Sequence, residues 1–171
     1  MSEYQPITRK QLADAVRMVL VEFDEEQICG KILEIAEKQP VLTRVMTGVL
    51  SDVIDGETCR HFWKLFLIIY LSCVNPEDDI PCIELDEVTD ACCRVVAHIQ
   101  AITPDLQIPD KILDSMAEPN LLIIIFEEIK KINLADTKEE RSAILILSSI
   151  LEALTTARRK HGKMNKTGKS G

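Results

Sequence analysis

The side chains best suited to chemistry cluster in ETCRHFWKLFLIIYLSCV, residues 57–74. Cys59 supplies a thiol and His61 an imidazole, within one turn of Trp63, the only tryptophan in the chain. A thiol and an imidazole can share a metal ion, or the imidazole can take the thiol's proton and make it a nucleophile. Both uses require the two groups to converge. On a helix, positions two apart point about 200° from each other, so Cys59 and His61 cannot meet at one ion. The pairings that mark a zinc site, two cysteines separated by two to four residues or two histidines by three to five, do not occur.

The other thiols and imidazoles fare no better. Cys59, Cys73 and Cys92 sit among apolar residues at core spacing, where a free thiol packs as a small hydrophobe. Cys92 and Cys93 are neighbours whose side chains diverge on a helix, against the geometry a disulfide requires. His98 follows Arg94 by one turn on a helix that bears Asp90, and His161 lies among basic residues; neither brings an orienting group for general-base work. The terminal KTGKSG imitates a phosphate-binding loop, but that pattern needs glycine at 163, where Lys163 stands. No catalytic, metal-ligating or cofactor-binding residue is assigned, and no cofactor is expected.

Charge is the stronger signal. The chain carries a net charge of −8. Six cations from Arg158 onward (Arg158, Arg159, Lys160, Lys163, Lys166, Lys169) meet no acid, which leaves the preceding residues with 14 basic and 28 acidic groups. Such a body repels nucleic acid and anionic membrane. Between Asn75 and Asp90 stand Glu77, Asp78, Asp79, Glu84, Asp86, Glu87 and Asp90, with no base among them. A calcium loop starting at Asn75 would need glycine at its sixth position, where Ile80 stands. Glu84, Asp86 and Glu87 complement the N-terminal dipole of the helix they precede. With Glu77, Asp78 and Asp79 they also form a candidate docking surface for a basic protein partner. The six C-terminal cations complement the dipole of the last helix. They are also the one candidate contact with nucleic acid, a weak one without an aromatic beside the charge.

Apolar residues recur at three- and four-residue spacing throughout, without strand alternation, so the expected class is all-α. Eight helices are expected. The first spans about Arg9 to Phe23, with Thr8 and Gln11 as a capping box. Asp24 caps the second, Pro40 opens the third, and Asp55-Gly56 breaks the chain before the fourth. The fourth is apolar all round between Leu65 and Leu71, which marks a centrally buried element. The fifth spans about Glu84 to Ile102, Pro109 and Pro119 open the sixth and seventh, and Asp136 or Thr137 caps an eighth that ends near His161. Residues 162–171 form a flexible basic tail.

The two halves echo each other, with Lys31-Ile32-Leu33-Glu34 returning as Lys111-Ile112-Leu113-Asp114 and Asp55–Arg60 as Asp136–Arg141. The expected organisation is one domain of two tandem four-helix units, 1–74 and 84–161, joined by an acidic connector at 75–83. Helix pairs of about 40 residues also have the size of HEAT-type units, so a compact bundle and a short stack of pairs are both open.

The longest apolar-dominated segment, Phe62 to Val74, falls short of the roughly 20 residues a bilayer span needs. No signal segment opens the chain, so a cytoplasmic setting with reduced thiols is expected. The function expected first is a non-enzymatic helical interaction module with an acidic surface and a protein partner. The alternatives are nucleic-acid association through the basic tail, and an enzyme or small-ligand carrier with a site between the halves. An apolar strip left on an amphipathic helix would allow a homo-oligomer.

Overall fold

The computed structural model describes residues 7–51, 56–74, 80–99 and 137–167. These residues form a helical bundle without strands. Its helices are α1 (Arg9–Arg17), α2 (Glu25–Lys38), α3 (Pro40–Leu50), α4 (Gly56–Cys73), α5 (Leu85–Ile99) and α6 (Thr137–Thr167), with a π-helical turn, Met18–Glu22, continuing α1. The sixth and seventh helices expected from sequence, and most of the acidic connector, lie outside the described residues.

Local signals fix the helix starts. Thr8 Oγ1 accepts the Gln11 N–H at 3.2 Å while Gln11 Oε1 accepts the Thr8 N–H at 2.9 Å, the reciprocal capping box. Asp24 and Gln27 repeat it at 2.8 and 2.9 Å before α2. Glu87 Oε2 accepts the Glu84 N–H at 3.0 Å before α5.

Two boundaries differ from the expectation. The end of the first helix is π-helical. Apolar spacing resolves a helix but not whether each turn holds four or five residues. The last helix continues to Thr167 instead of ending near His161. A single interior glycine, Gly162, costs only about 1 kcal/mol relative to alanine, and the lysines beyond it favour the C-terminal end of a helix.

At the centre lies α4. Leu65 through Tyr70 are all buried, and Phe66, Leu67 and Ile69 are fully enclosed. The helix packs against α1, the π turn, α2 and α6, which explains its apolar girdle. Phe66 meets the edge of Trp63 at a centroid distance of 5.5 Å and Tyr70 at 6.4 Å. Burial, reinforced by the negative charge of Glu34, raises the Tyr70 phenol above its ordinary pKa. Among the described residues no helix is long and apolar enough to cross a membrane.

Candidate functional site

Among the described residues few polar side chains are buried, and Gln39 is one of them. This residue is 1% exposed. Its backbone closes α2 through a hydrogen bond to the Ile35 carbonyl, and its carbonyl accepts the Thr43 N–H of α3. The residue that precedes a proline is driven out of the helical region, so the α2–α3 corner falls where Pro40 dictates. The side chain then reaches 44 positions along the chain, where Oε1 accepts the Ile83 N–H at 2.8 Å. Its Nε2 donates to the Pro81 carbonyl at 3.1 Å. A buried amide satisfied at both ends fixes its partners well. Residues 80–83, which run into α5, are therefore clamped from the first half of the chain.

Downstream of that clamp, α5 is amphipathic. Val88, Ala91 and Val95 are buried, whereas Leu85, Asp86, Thr89, Asp90 and Cys93 are exposed. Spacings of four place Leu85, Thr89 and Cys93 on one line and Asp86 and Asp90 on the next. Leu85 is 59% exposed, an uncovered large apolar side chain beside carboxylates. Among the described residues Asp86 and Asp90 make no ion pair.

The other edge of α5 faces α6, and the two helices run antiparallel. Arg94 Nε lies 3.3 Å from Glu152 Oε1, and Arg94 donates to Thr156 Oγ1 at 3.3 Å. Seven residues back along α5, Lys160 Nζ lies 3.0 Å from Glu87 Oε1. The Glu84 backbone N–H and then the Lys160 ammonium hold the Glu87 carboxyl below the usual carboxylate range.

The sequence-derived site residues therefore separate. Glu84 and Glu87 build the start of α5, Asp86 faces solvent, and Glu77, Asp78 and Asp79 lie outside the described residues. Of the cations, Lys160 is paired to Glu87, Arg158 is half-buried and Arg159 exposed. Lys163 and Lys166 belong to the helical backbone of α6, and Lys169 lies outside the described residues. Gln39, Leu85 and the Arg94–Glu152 pair were not singled out from the sequence. Only Leu85 left a signal there, as an apolar residue within an acidic run.

The thiols are dispersed over the bundle. Cys73 is buried, Cys59 and Cys92 are half-buried, and Cys29, Cys82 and Cys93 are exposed. The Cys59 thiol points at the Leu50 carbonyl, 3.8 Å away. Among the described residues no group of three or more His, Cys, Asp or Glu side chains is placed to hold a metal ion. Elsewhere on the surface, Val21 of the π turn and Leu33 of α2 are 77% and 67% exposed.

Protein-family models, curated proteins and solved structures were all compared with the chain, and none matches it.

Proposed function

We propose that the protein is a non-enzymatic helical interaction module that takes a basic, amphipathic segment of another protein on the exposed face of α5. The observation that carries this is the pairing of an uncovered apolar anchor, Leu85, with two carboxylates that have no ion pair among the described residues, Asp86 and Asp90. Recognition surfaces combine an apolar centre with complementary charge at its border. Two further features suit that use. The Gln39 clamp fixes the start of α5, and rigid presentation lowers the entropy cost of binding. The acidic body also draws cationic partners in at a distance. None of the six cysteines forms a disulfide, which suits a reducing cytoplasmic setting.

Of the six cations that the nucleic-acid alternative would use, Lys160 is paired to Glu87. Fluorescence anisotropy with a labelled amphipathic helical peptide of leucine and lysine tests the docking surface. The double variant Asp86→Lys/Asp90→Lys should weaken binding about tenfold or more, as like charges replace opposite ones. An unchanged affinity contradicts it.

We also infer that the two halves descend from one four-helix unit. At an offset of 76, buried Ile7, Leu12, Ala15 and Val19 correspond to buried Ile83, Val88, Ala91 and Val95. The Thr8–Gln11 capping pair corresponds to Glu84–Glu87 at the same offset. At an offset of 81, the buried run Phe66–Tyr70 corresponds to Leu147–Leu151, and Ser72–Val74 to Ala153–Thr155. Packing follows the same correspondence. Helix α1 packs on α4 as α5 packs on α6, and the equivalent helices α4 and α6 pack on each other.

A further inference from the structure

Of the carboxylates at the start of α5, Glu87 alone carries a cation from elsewhere among the described residues. That cation is Lys160, whose side chain is 63% exposed. Asp86 and Asp90 run along the neighbouring line of the same helix and carry none among the described residues. The structure thus seats an alkylammonium on the edge of the face proposed above for docking. A lysine of a bound partner would present the same group to the same edge.

We propose that Lys160 is a built-in competitor for the partner's lysine: the chain holds its own acidic edge partly occupied, and a basic partner gains Glu87 only by displacing it. This inference rests on the docking surface proposed for α5 and specifies how that surface is regulated. Three observations make displacement feasible. The pair is exposed, so breaking it costs little; exposed pairs contribute roughly 0–1 kcal/mol. The α5–α6 contact does not depend on it, because Arg94 bonds both Glu152 and Thr156 about two turns away and Ala91 and Leu154 are fully buried. Lys160 also stands toward the end of α6, in its last eight residues, where a side chain can swing clear without disturbing the buried stretch from Leu147 to Leu154. Because Lys160 can be neutralised by acetylation, the same contact offers a point at which affinity could be raised covalently.

The test uses the full chain and the labelled leucine–lysine peptide. Lys160→Gln should bind the peptide about two- to fivefold more tightly than the parent at low salt, the range an exposed pair allows. Lys160→Arg, which keeps the charge, should bind like the parent. In a Glu87→Gln background the Lys160→Gln substitution should change nothing, because there is no carboxylate left to release. Equal binding by the parent and Lys160→Gln overturns the competitor while leaving the docking surface standing, as does a gain that persists in the Glu87→Gln background. If the parent and every variant fail to bind, the docking surface itself is wrong and the competitor falls with it.

Discussion

Gln39 Oε1 accepts the Ile83 N–H at 2.8 Å, joining the α2–α3 corner to the segment that leads into α5. The bond is internal to the core, and Ile83 is 1% exposed. Gln39→Ala should strand that N–H in a water-poor site and leave a cavity beside it, at a cost of about 2–4 kcal/mol. Urea unfolding measures the loss. Native-state hydrogen exchange should place its largest local effect at the Ile83 amide. A variant with unchanged midpoint would mean that the clamp is incidental.

Two hydroxyls of α6 present the opposite case. Ser148 Oγ and Thr155 Oγ1 are buried without a hydrogen-bond partner among the described residues. Eighty-one positions earlier stand the apolar Leu67 of α4 and Val74, the residue just after that helix. Removing an unpaired buried polar group recovers its desolvation cost. Ser148→Ala and Thr155→Val should each stabilise by up to about 1 kcal/mol. Ser149→Ala should not, because Ser149 Oγ already donates to the Leu145 carbonyl at 2.6 Å. Thermal unfolding of the three variants distinguishes them.

What was legible in the sequence was whatever depends on near neighbours. The Thr8–Gln11 box spans three residues and is written in the residue types themselves. The burial of α4 follows from an unbroken apolar run, since such a helix has no face to offer water. Gln39 was not legible, for its partners lie more than 40 positions away and a glutamine before a proline reads as a linker. Lys160 and Glu87 were each noticed as charges, yet their meeting depends on α5 and α6 lying antiparallel, which no local pattern encodes. The acids were read as one surface. In the fold Glu84 serves the helix start through its backbone and Glu87 through its carboxylate, and the anchor beside Asp86 and Asp90 is a leucine.

Acid should weaken the fold through specific pairs. Glu34 is held below the usual carboxylate range by hydrogen bonds from Lys31, at 2.8 Å, and Lys38, at 3.3 Å. Glu87 is lowered by the Glu84 backbone N–H and by Lys160. Because both folded values lie below the unfolded one, about 4.3 for glutamate, their stabilisation is complete above that pH. It is lost as pH falls through the folded values. Both side chains are more than a third exposed, so each contributes only a few tenths of a kcal/mol. A Lys31→Gln/Lys38→Gln/Lys160→Gln variant should unfold at lower urea than the parent at pH 7. The gap should narrow as pH falls below the unfolded value, and in about 1 M salt. A gap independent of both would assign the difference to something other than charge.

The proposed duplication makes a paired prediction. Ala15 of α1 and Ala91 of α5 stand 76 positions apart and are 3% and 0% exposed. If the halves share one packing plan, Ala15→Leu and Ala91→Leu should each overpack a helix–helix contact by about 1–3 kcal/mol. Equilibrium unfolding of both variants checks this. A large cost at one position with none at the other would argue against common descent.

The docking surface is tested most directly by titrating the leucine–lysine peptide into isotopically labelled protein and following backbone amide shifts. The perturbed amides should cluster at Leu85, Asp86, Thr89, Asp90 and Cys93, and Leu85→Ser should weaken the effect. Shifts that cluster instead around Val21 and Leu33, or that spread evenly over the acidic surface, would contradict a site on α5.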